Sequence, residues 1–227
     1  MIKVLRSFLL GLAFFLAACG SNQADLDSVL LKDSMTNILQ NSKKTKQAQP
    51  GPREIITRAM IDDLNNNLIL VEILNGNYIA TIELSSRPAQ ANVWETLSGR
   101  SIVTKDGMLV ATRGFNHDLM GADTQSARDA LTRASESEAL EYTRSYRYLV
   151  ADNQDQVLKL ECKLLFSENE TIYIFEKRYK TKKYSEICTS DKLKFENFFW
   201  VQKNNTIRKS EQWQGKNLGM ILIERLN

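Results

Sequence analysis

The chain has 227 residues, of which 43% are hydrophobic and 25% are charged, and this balance is typical of a folded globular protein. Its 30 basic and 27 acidic residues give a formal net charge of +3, which indicates neither an acidic tail nor a strongly basic surface. Nucleic acid is therefore not a predicted partner.

The N-terminus has the layout of a secretory signal peptide, because Lys3 and Arg6 precede an apolar run at 8–16. That run is too short to span a bilayer, which takes about 20 apolar residues. It ends in the lipobox Leu16-Ala17-Ala18-Cys19, at which bacterial lipoproteins are acylated on the cysteine and cleaved before it. The sequence predicts lipid attachment at Cys19, and an ordinary signal peptide followed by a chance cysteine is the alternative.

The position after the cysteine predicts the membrane that carries the protein. An Asp there favours retention in the inner membrane, and this chain has Gly20 instead. We therefore predict an outer-membrane lipoprotein whose folded part faces the periplasm. Several acyl chains on one cysteine hold a protein stably at a membrane, whereas a single chain binds only marginally.

Two further cysteines, Cys162 and Cys188, remain in the mature chain. An even pair in the oxidising periplasm predicts a disulfide, with two buried thiols as the alternative. His117 is the single histidine of the sequence, and no two thiols lie close together along it. The sequence therefore predicts no metal site and no cofactor.

The sequence divides into a signal peptide at 1–18, a lipidated tether at 19–52 and a single mainly-β domain at 53–227. Within the tether, apolar residues recur at helical spacing between 24 and 40, which predicts a short amphipathic helix. Residues 41–52 collect Ser, Lys, Gln, Pro and Gly and predict a solvated linker. Whether the helix packs onto the domain stays open.

Helical spacing returns at 53–64, and beyond it the hydrophobic period changes to two. Strands at 68–74 and 77–84 with Asn75-Gly76 between them predict a hairpin, because Asn-Gly readily adopts the positive φ angles of a tight turn. Asp106-Gly107 predicts a second such turn. Further predicted elements are strands at 92–97, 101–104, 108–112, 171–179, 193–202, 206–213 and 218–226, and a helix at 123–140.

From residue 142 onward, apolar and polar residues alternate along the chain. One face carries apolar side chains and the other carries charged ones: Leu158, Leu160, Cys162 and Leu164 against Lys159, Glu161 and Lys163. About nine short strands with two or three short helices predict a mainly-β fold, an antiparallel barrel-like or strongly coiled sheet that protects its edges. Helices do not alternate with strands, which excludes a Rossmann fold.

The residues that could carry catalysis are few. His117 precedes Asp118, but neighbours in sequence rarely form a base and its orienting acid, and the sequence has no Gly-x-Ser-x-Gly elbow. Acidic residues that could hydrolyse a glycan as a pair are Glu136, Glu138, Glu141, Asp152 and Asp155. Such acids are common on solvated surfaces, so we predict no catalytic residue and no enzyme. A glycan hydrolase with two carboxylates is the enzymatic alternative.

The densest charge cluster interleaves basic and aromatic residues: Lys177, Arg178, Lys180, Lys182 and Lys183 with Tyr179 and Tyr184. Such a cluster can bind an acidic polysaccharide or a lipid head group, and a solvated hairpin tip is the alternative. The tryptophans at 94, 200 and 213 lie in predicted strands, where packing in the core is their expected role.

Two stretches of the chain share a pattern with a known family. The first contains Trp94-Glu95-Thr96, Gly99, 102–107, Thr112-Arg113-Gly114 and Asp118-Leu119, and the second contains 196–201 and 207–212. Together with the lipobox and Cys188, they resemble the YjbF/GfcB family of group 4 capsule polysaccharide lipoproteins. Residues 214–217 depart from that pattern, because no proline precedes the last strand.

The resemblance implies a mainly-β, barrel-like fold and a role in capsule or exopolysaccharide production and export, with no catalytic residue to carry over. The pattern positions that we regard as binding candidates are Arg113, Asp118, Trp200, Ser210 and Gln212. Arg113 and Asp118 flank a turn after a strand, where they can contact a partner or pair with each other.

These observations lead to two functional hypotheses. The first is a periplasm-facing, non-enzymatic accessory factor in capsule or exopolysaccharide assembly or export, with the polysaccharide or the capsule-export proteins as partners. The second is a carrier or chaperone that shelters a lipid or acyl chain inside an open β-barrel.

Overall fold

The computed structural model describes residues 52–64, 67–74, 78–150 and 154–227, all of which belong to one compact unit. The predicted signal peptide, Cys19, the helix at 24–40 and the Asn75-Gly76 turn lie outside these residues. Within them, no helix is both long enough and apolar enough to span a membrane.

Within the described residues, twelve antiparallel strands form one sheet whose order is β5-β4-β3-β2-β1-β12-β11-β10-β9-β8-β7-β6. The strands are β1 (Leu68–Ile73), β2 (Tyr78–Ser86), β3 (Ala91–Glu95), β4 (Ser101–Lys105), β5 (Met108–Arg113), β6 (Leu119–Ala122), β7 (Leu140–Val150), β8 (Gln154–Ile174), β9 (Lys177–Ser190), β10 (Leu193–Val201), β11 (Ile207–Gly215) and β12 (Gly219–Arg225). The two edge strands, β5 and β6, follow each other in the chain and lie side by side, so the sheet is a nearly closed barrel. The predicted fold class is confirmed, with more strands than the nine expected.

Alternate residues of the strands fill the barrel interior. The buried side chains of its larger cluster come from all twelve described strands: Ile69, Val71, Ile82, Trp94, Ile102, Leu109, Leu119, Tyr146, Leu160, Cys162, Cys188, Phe195, Trp213, Ile221 and Ile223. Trp213 is stacked on Phe195, with 4.4 Å between the ring centroids. The predicted inward face of β8 is correct, because Leu160, Cys162 and Leu164 are all buried.

The long hairpin of β8 and β9 differs from the prediction. The stretch 171–179 is not one strand, because Phe175 and Glu176 turn the chain with positive φ angles of 44° and 69°. Residues other than Gly, Asn and Asp rarely adopt such angles, so this turn has no sequence signal. A bulge between Phe166 and Glu168 shifts the register and moves the following even-numbered side chains to the outer face.

Two short helices, α1 (Pro52–Ile55) and α2 (Arg58–Asp63), replace the single helix predicted at 53–64. The helix is interrupted at Ile56 and Thr57. The side chain of Thr57 accepts a hydrogen bond from the N–H of Met60 and so caps the N-terminus of α2. Ile61 of α2 is buried in a cluster outside the barrel with Leu68, Leu70, Ile172, Ile174, Tyr179, Trp200 and Leu226. The N-terminal helices therefore cover part of the outer face of the sheet.

The predicted helix at 123–140 is shorter in the structure, where α3 spans Gln125–Arg133. A 3₁₀ turn at Pro88–Gln90 precedes β3. Three side chains of α3, Ala127, Ala130 and Leu131, pack against Met108, Phe199, Val201 and Ile207. These partners lie where β5 begins and β10 ends, so α3 fills that end of the barrel. The residues after Arg133 offer no apolar face to continue it.

Substitution of Gly107 tests the conformation of the turn between β4 and β5. The turn residues Asp106 and Gly107 have φ angles of 52° and 85°, as the sequence predicts, and a Cβ on Gly107 would lie 2.8 Å from Cβ of Ile207. We expect Gly107→Ala to lower the free energy of unfolding by about 2 kcal/mol through backbone strain and overpacking. Urea unfolding measures this loss.

Gly99→Ala is the matched control, because Gly99 has a similar φ of 78° with nothing within 4 Å of the added Cβ. It should cost about 1 kcal/mol, from backbone strain alone. Equal losses for the two variants would show that the contact with Ile207 has no energetic weight.

Candidate functional site

An open cleft of about 1370 Å³ lies at one end of the barrel. Its rim includes the turns between β5 and β6, between β9 and β10, and between β11 and β12. Its charged lining is balanced between four acidic and four basic side chains: Asp118, Asp123, Glu161 and Asp191 with Arg144, Lys159, Lys192 and Lys216. Tyr148 and Trp213 add aromatic surface. Pockets of this kind, with aromatic walls and a few fixed polar groups, are typical of ligand sites.

Arg144, one of the residues that line the cleft, forms a buried ion pair with Glu186. Nη1 of Arg144 lies 2.7 Å from Oε2 of Glu186, and both side chains are 0% exposed. Glu186 also accepts hydrogen bonds from the hydroxyl of Tyr142 at 2.6 Å and from Nδ2 of Asn197 at 2.5 Å. A buried charge pair is tolerated when such additional hydrogen bonds satisfy it. The network ties β7, β9 and β10 together.

Tyr142 remains a hydrogen-bond donor in this network. Burial raises the pKa of its phenol, and the negative charge of Glu186 raises it further. Both effects disfavour the phenolate, so the hydroxyl keeps its proton and donates to the carboxylate.

The predicted disulfide between Cys162 and Cys188 is present. The two residues face each other across β8 and β9, on the same inner face as Glu186. Cys162, Glu186 and Cys188 are close enough together to suggest metal ligands. Both sulfur atoms are bonded to each other, however, and a metal needs free thiolates. We therefore assign this group a structural role.

Side chains close the gap between the edge strands β5 and β6. Oγ1 of Thr112 accepts a hydrogen bond from the N–H of Leu119, and Nη1 of Arg113 donates to the carbonyl of Leu119. Asp118 accepts from the hydroxyl of Thr112 and from the N–H groups of Gly114 and Phe115. Arg113 and Asp118 thus hold the turn through its main chain.

Ser210 and Gln212 lie buried on the inner face of β11. Oε1 of Gln212 accepts a hydrogen bond from the N–H of Leu109, and Nε2 donates to Oγ of Ser210 and to the carbonyl of Gly107. Leu109 belongs to the edge strand β5. The side chain of Gln212 therefore crosses the barrel interior and accepts the hydrogen bond of the Leu109 main-chain N–H. These two residues stabilise the barrel rather than facing the cleft.

Trp200 lies outside the barrel, 4% exposed, in the cluster covered by α2. Its Nε1 donates to Glu170 at 2.7 Å, and Nζ of Lys209 lies 4.4 Å from a ring centroid. The five family-pattern positions are therefore divided between the turn at 113–118, the interior and the outer face.

The family model described as group 4 capsule polysaccharide lipoprotein gfcB, YjbF, matches residues 24–226. The chain belongs to this family. A search of curated proteins found no match.

The crystal structure of the hypothetical lipoprotein YmcC from Escherichia coli K12 is similar to this YjbF-family chain, with a TM-score of 0.66 and 20% sequence identity. The similarity covers 80% of this chain and 98% of that one. At this identity it shows a shared fold. Family membership places the protein among envelope lipoproteins associated with capsule polysaccharide.

The catalytic candidates of this YjbF-family protein are dispersed. His117 is exposed on the cleft rim, and its carbonyl accepts a hydrogen bond from Nε2 of Gln214 at 2.7 Å. Glu136 and Glu141 are exposed and pair with Lys182 and Lys163. Asp152 lies outside the described residues.

The basic cluster is largely paired with acidic and aromatic groups. Nζ of Lys182 lies 2.9 Å from Glu136, which raises the pKa of that lysine, and Lys183 approaches Glu168 at 3.6 Å. Tyr179 and Tyr184 are buried. The cluster borders a second pocket of about 440 Å³ that Lys180, Lys182 and Lys203 line.

The sequence did not single out two buried polar residues that line the cleft, Arg144 and Gln214, or Asn197, which bonds to Glu186. A signal was present for Arg144, because it occupies an inward position between Tyr142 and Tyr146 on a strand whose alternate residues face the core. A charged residue at such a position predicts a buried partner.

Proposed function

We propose that this protein is a periplasm-facing lipoprotein of the outer membrane that acts as a non-enzymatic accessory factor in the assembly or export of capsule or exopolysaccharide. The open cleft carries the proposal, because a charge-balanced polar surface with aromatic side chains suits a carbohydrate chain. Family membership supports the connection with capsule polysaccharide.

A non-enzymatic role is supported by the contacts of Asp118, which lines the cleft, and of Glu186, which pairs with the lining residue Arg144. Both oxygens of Asp118 accept hydrogen bonds within its own turn, and the Glu186 carboxylate is held by Arg144, Tyr142 and Asn197. Carboxylate oxygens engaged in this way are held in place by the protein's own donors, so they are poorly placed to take a proton from a substrate. The protein therefore acts by contact with its partners.

The lipid-carrier hypothesis receives less support. A carrier needs an empty apolar interior, whereas aromatic and aliphatic side chains fill the described barrel and α3 packs into one of its ends. The cleft at the other end is lined by charged and polar groups, which an acyl chain would have to desolvate.

A deletion strain tests the proposal. Surface polysaccharide should fall in the deletion strain and return with the wild-type gene. Cys19→Ser, which removes the acylation site, should fail to restore it, because the folded domain would no longer be held at the membrane. Ser21→Ala, two residues further on, is the matched control and should restore polysaccharide fully.

Two outcomes would contradict the proposal. Unchanged surface polysaccharide in the deletion strain would remove the role in capsule production. Full restoration by Cys19→Ser would remove the requirement for a membrane anchor.

A further inference from the structure

The hairpin of β8 and β9 has two different faces at its far end. On the outer face, Ile172, Ile174 and Tyr179 are buried in the cluster to which α2 contributes. The inner face continues from the even-numbered residues of β9 that point into the barrel, and there the side chains are exposed. Residues that pair across the hairpin share a face. The exposed pairs are Asn169 with Lys182, Thr171 with Lys180, and Tyr173 with Arg178.

Three cations, Arg178, Lys180 and Lys182, occupy alternate positions of β9 on this exposed face. Alternate residues of a strand are about 7 Å apart, so the charges form a row along the hairpin. Lys182 pairs with Glu136, and both of these side chains are about half exposed. Arg178 and Lys180 form no ion pair within the described residues. An exposed ion pair adds little stability, so all three cations are accessible to an external anion.

The row of cations leads into the second pocket, of about 440 Å³, which lies between the hairpin, α3 and the turn between β10 and β11. Lys180 and Lys182 line this pocket together with Lys203, and none of the residues that line it is acidic. The lining also includes uncharged hydroxyl and amide groups, those of Thr132, Asn169, Gln202 and Asn205. Ligand pockets of proteins typically enclose about 300–1,000 Å³. The pocket therefore suits an anionic group that is rich in hydroxyls.

The side chains of this face favour a glycan over a membrane surface as the partner. A protein that lies on a membrane combines cations with apolar side chains that enter the lipid. The exposed apolar residues nearby, Met60 and Leu64, belong to α2 and its C-terminal cap, and α2 packs on the outer face of the hairpin. On the inner face, Tyr173 is 66% exposed directly opposite Arg178. An aromatic ring beside a guanidinium can contact a sugar ring and its carboxylate together.

We propose that the inner face of this hairpin end binds a carboxylate-bearing saccharide chain. Arg178 and Lys180 contact carboxylates along the strand, and Tyr173 packs against a sugar ring. The pocket lined by Lys182 and Lys203 takes the next sugar of the chain. This inference rests on the proposed role in polysaccharide assembly or export, and it gives that role a binding surface that shares no lining residue with the cleft.

Calorimetry on the full mature chain carrying Cys19→Ser tests this surface. The probe is a pool of size-fractionated oligosaccharides from the strain's own surface polysaccharide, either native or with chemically reduced carboxyl groups. Arg178→Gln/Lys180→Gln should lower the affinity for native fragments about tenfold, because two charges that face the chain are lost. Reduced fragments should bind the wild-type protein at least about tenfold more weakly than native fragments, since they lack the anionic groups. Tyr173→Ala should lower the affinity about fivefold through lost ring packing.

Lys163→Gln/Lys194→Gln is the matched control, because it removes two charges from exposed outward positions of β8 and β10. It should bind native fragments as the wild-type protein does. All the substituted positions are exposed, so every variant should keep the wild-type midpoint of urea unfolding.

Four outcomes would overturn the site. They are the absence of binding to native fragments, full affinity in Arg178→Gln/Lys180→Gln, an equal loss in the matched control, and equal binding of native and reduced fragments. Binding to phosphatidylglycerol vesicles in place of the oligosaccharides, lost in the same double variant, would make this face a membrane contact instead.

The accessory role and the saccharide site fail separately. Loss of surface polysaccharide in the deletion strain together with no oligosaccharide binding would refute the saccharide site and leave the accessory role standing. Unchanged surface polysaccharide would refute the accessory role whatever the calorimetry shows.

Discussion

Replacing Arg144 by Ala is expected to lower the free energy of unfolding by about 3–5 kcal/mol. The substitution leaves the carboxylate of Glu186 in a site where it is 0% exposed and where no other cation forms an ion pair with it in the described structure. The hydrogen bonds from Tyr142 and Asn197 remain, but a buried charge without a counter-ion is strongly destabilising. Urea unfolding measures the loss. The midpoint of the transition should fall, while the slope of the unfolding free energy against urea concentration stays the same.

Lys163→Ala is the matched control for Arg144→Ala, because it breaks an ion pair with Glu141 in which the side chains are 49% and 74% exposed. An exposed pair of this kind contributes less than about 1 kcal/mol. The double variant Arg144→Met/Glu186→Met should recover much of the loss, since it removes both charges and fills similar volume. Equal losses of unfolding free energy for Arg144→Ala and Lys163→Ala would contradict the claim that the buried ion pair depends on Arg144 far more than the exposed pair depends on Lys163.

Removal of the disulfide is expected to cost about 3.5 kcal/mol, which the chain-entropy relation gives for a loop of this length. Cys162 and Cys188 are separated by 26 residues and link β8 to β9. The double variant Cys162→Ala/Cys188→Ala should unfold at lower urea, because its unfolded chain gains the freedom that the cross-link removed.

The wild-type protein supplies the control for this prediction. Treated with a thiol reductant under partly denaturing conditions, it should unfold at nearly the midpoint of the double variant. An unchanged midpoint in the double variant would contradict a stabilising role for the bond.

The sequence predicted those parts of the fold that depend on local periodicity. Alternation along 158–164 gave the inward face of β8, and Asp106-Gly107 gave the turn between β4 and β5. Both signals are local, since the period of two and the positive φ of Asp-Gly act within a few residues. The Phe175-Glu176 turn had no such signal, because strand pairing over 154–190 imposes its angles.

The helix predicted at 123–140 is too long at its C-terminal end, and the reason lies in tertiary packing. The apolar face of α3 consists of Ala127, Ala130 and Leu131, which pack into one end of the barrel, and the helix ends at Arg133, shortly after the last of them. Beyond Ala134, which still packs on this cluster, residues 135–138 are polar and exposed and offer no apolar side chain to bury. Tertiary packing sets helix length here, and intrinsic propensity is too weak to do so.

The candidate site was less predictable than the fold. Arg113, Asp118 and Gln212 were singled out by family pattern, and the structure gives them bonds that close the barrel at its edge strands. The cleft lining includes Arg144 and Gln214, which are separated by 70 positions and lie on strands far apart in the chain. No pattern in a single sequence brings such residues together, whereas the closure of the sheet does.

The two ends of the barrel differ in a way that matters for function. α3 packs into one end, and the other keeps an open cleft bordered by turns. Loops carried on a rigid scaffold are where binding residues usually lie. A barrel stiffened by a disulfide and a buried ion pair presents that rim with little loss of conformational entropy when a partner binds.

The measurement that tests the central claim most directly is the distribution of polysaccharide between the cell surface and the periplasm in a deletion strain. The account predicts that surface polysaccharide falls while material with an unchanged repeat structure accumulates inside the envelope, because an accessory export factor moves the polymer without altering it. Normal surface polysaccharide, or polymer with a changed repeat structure, would contradict the account.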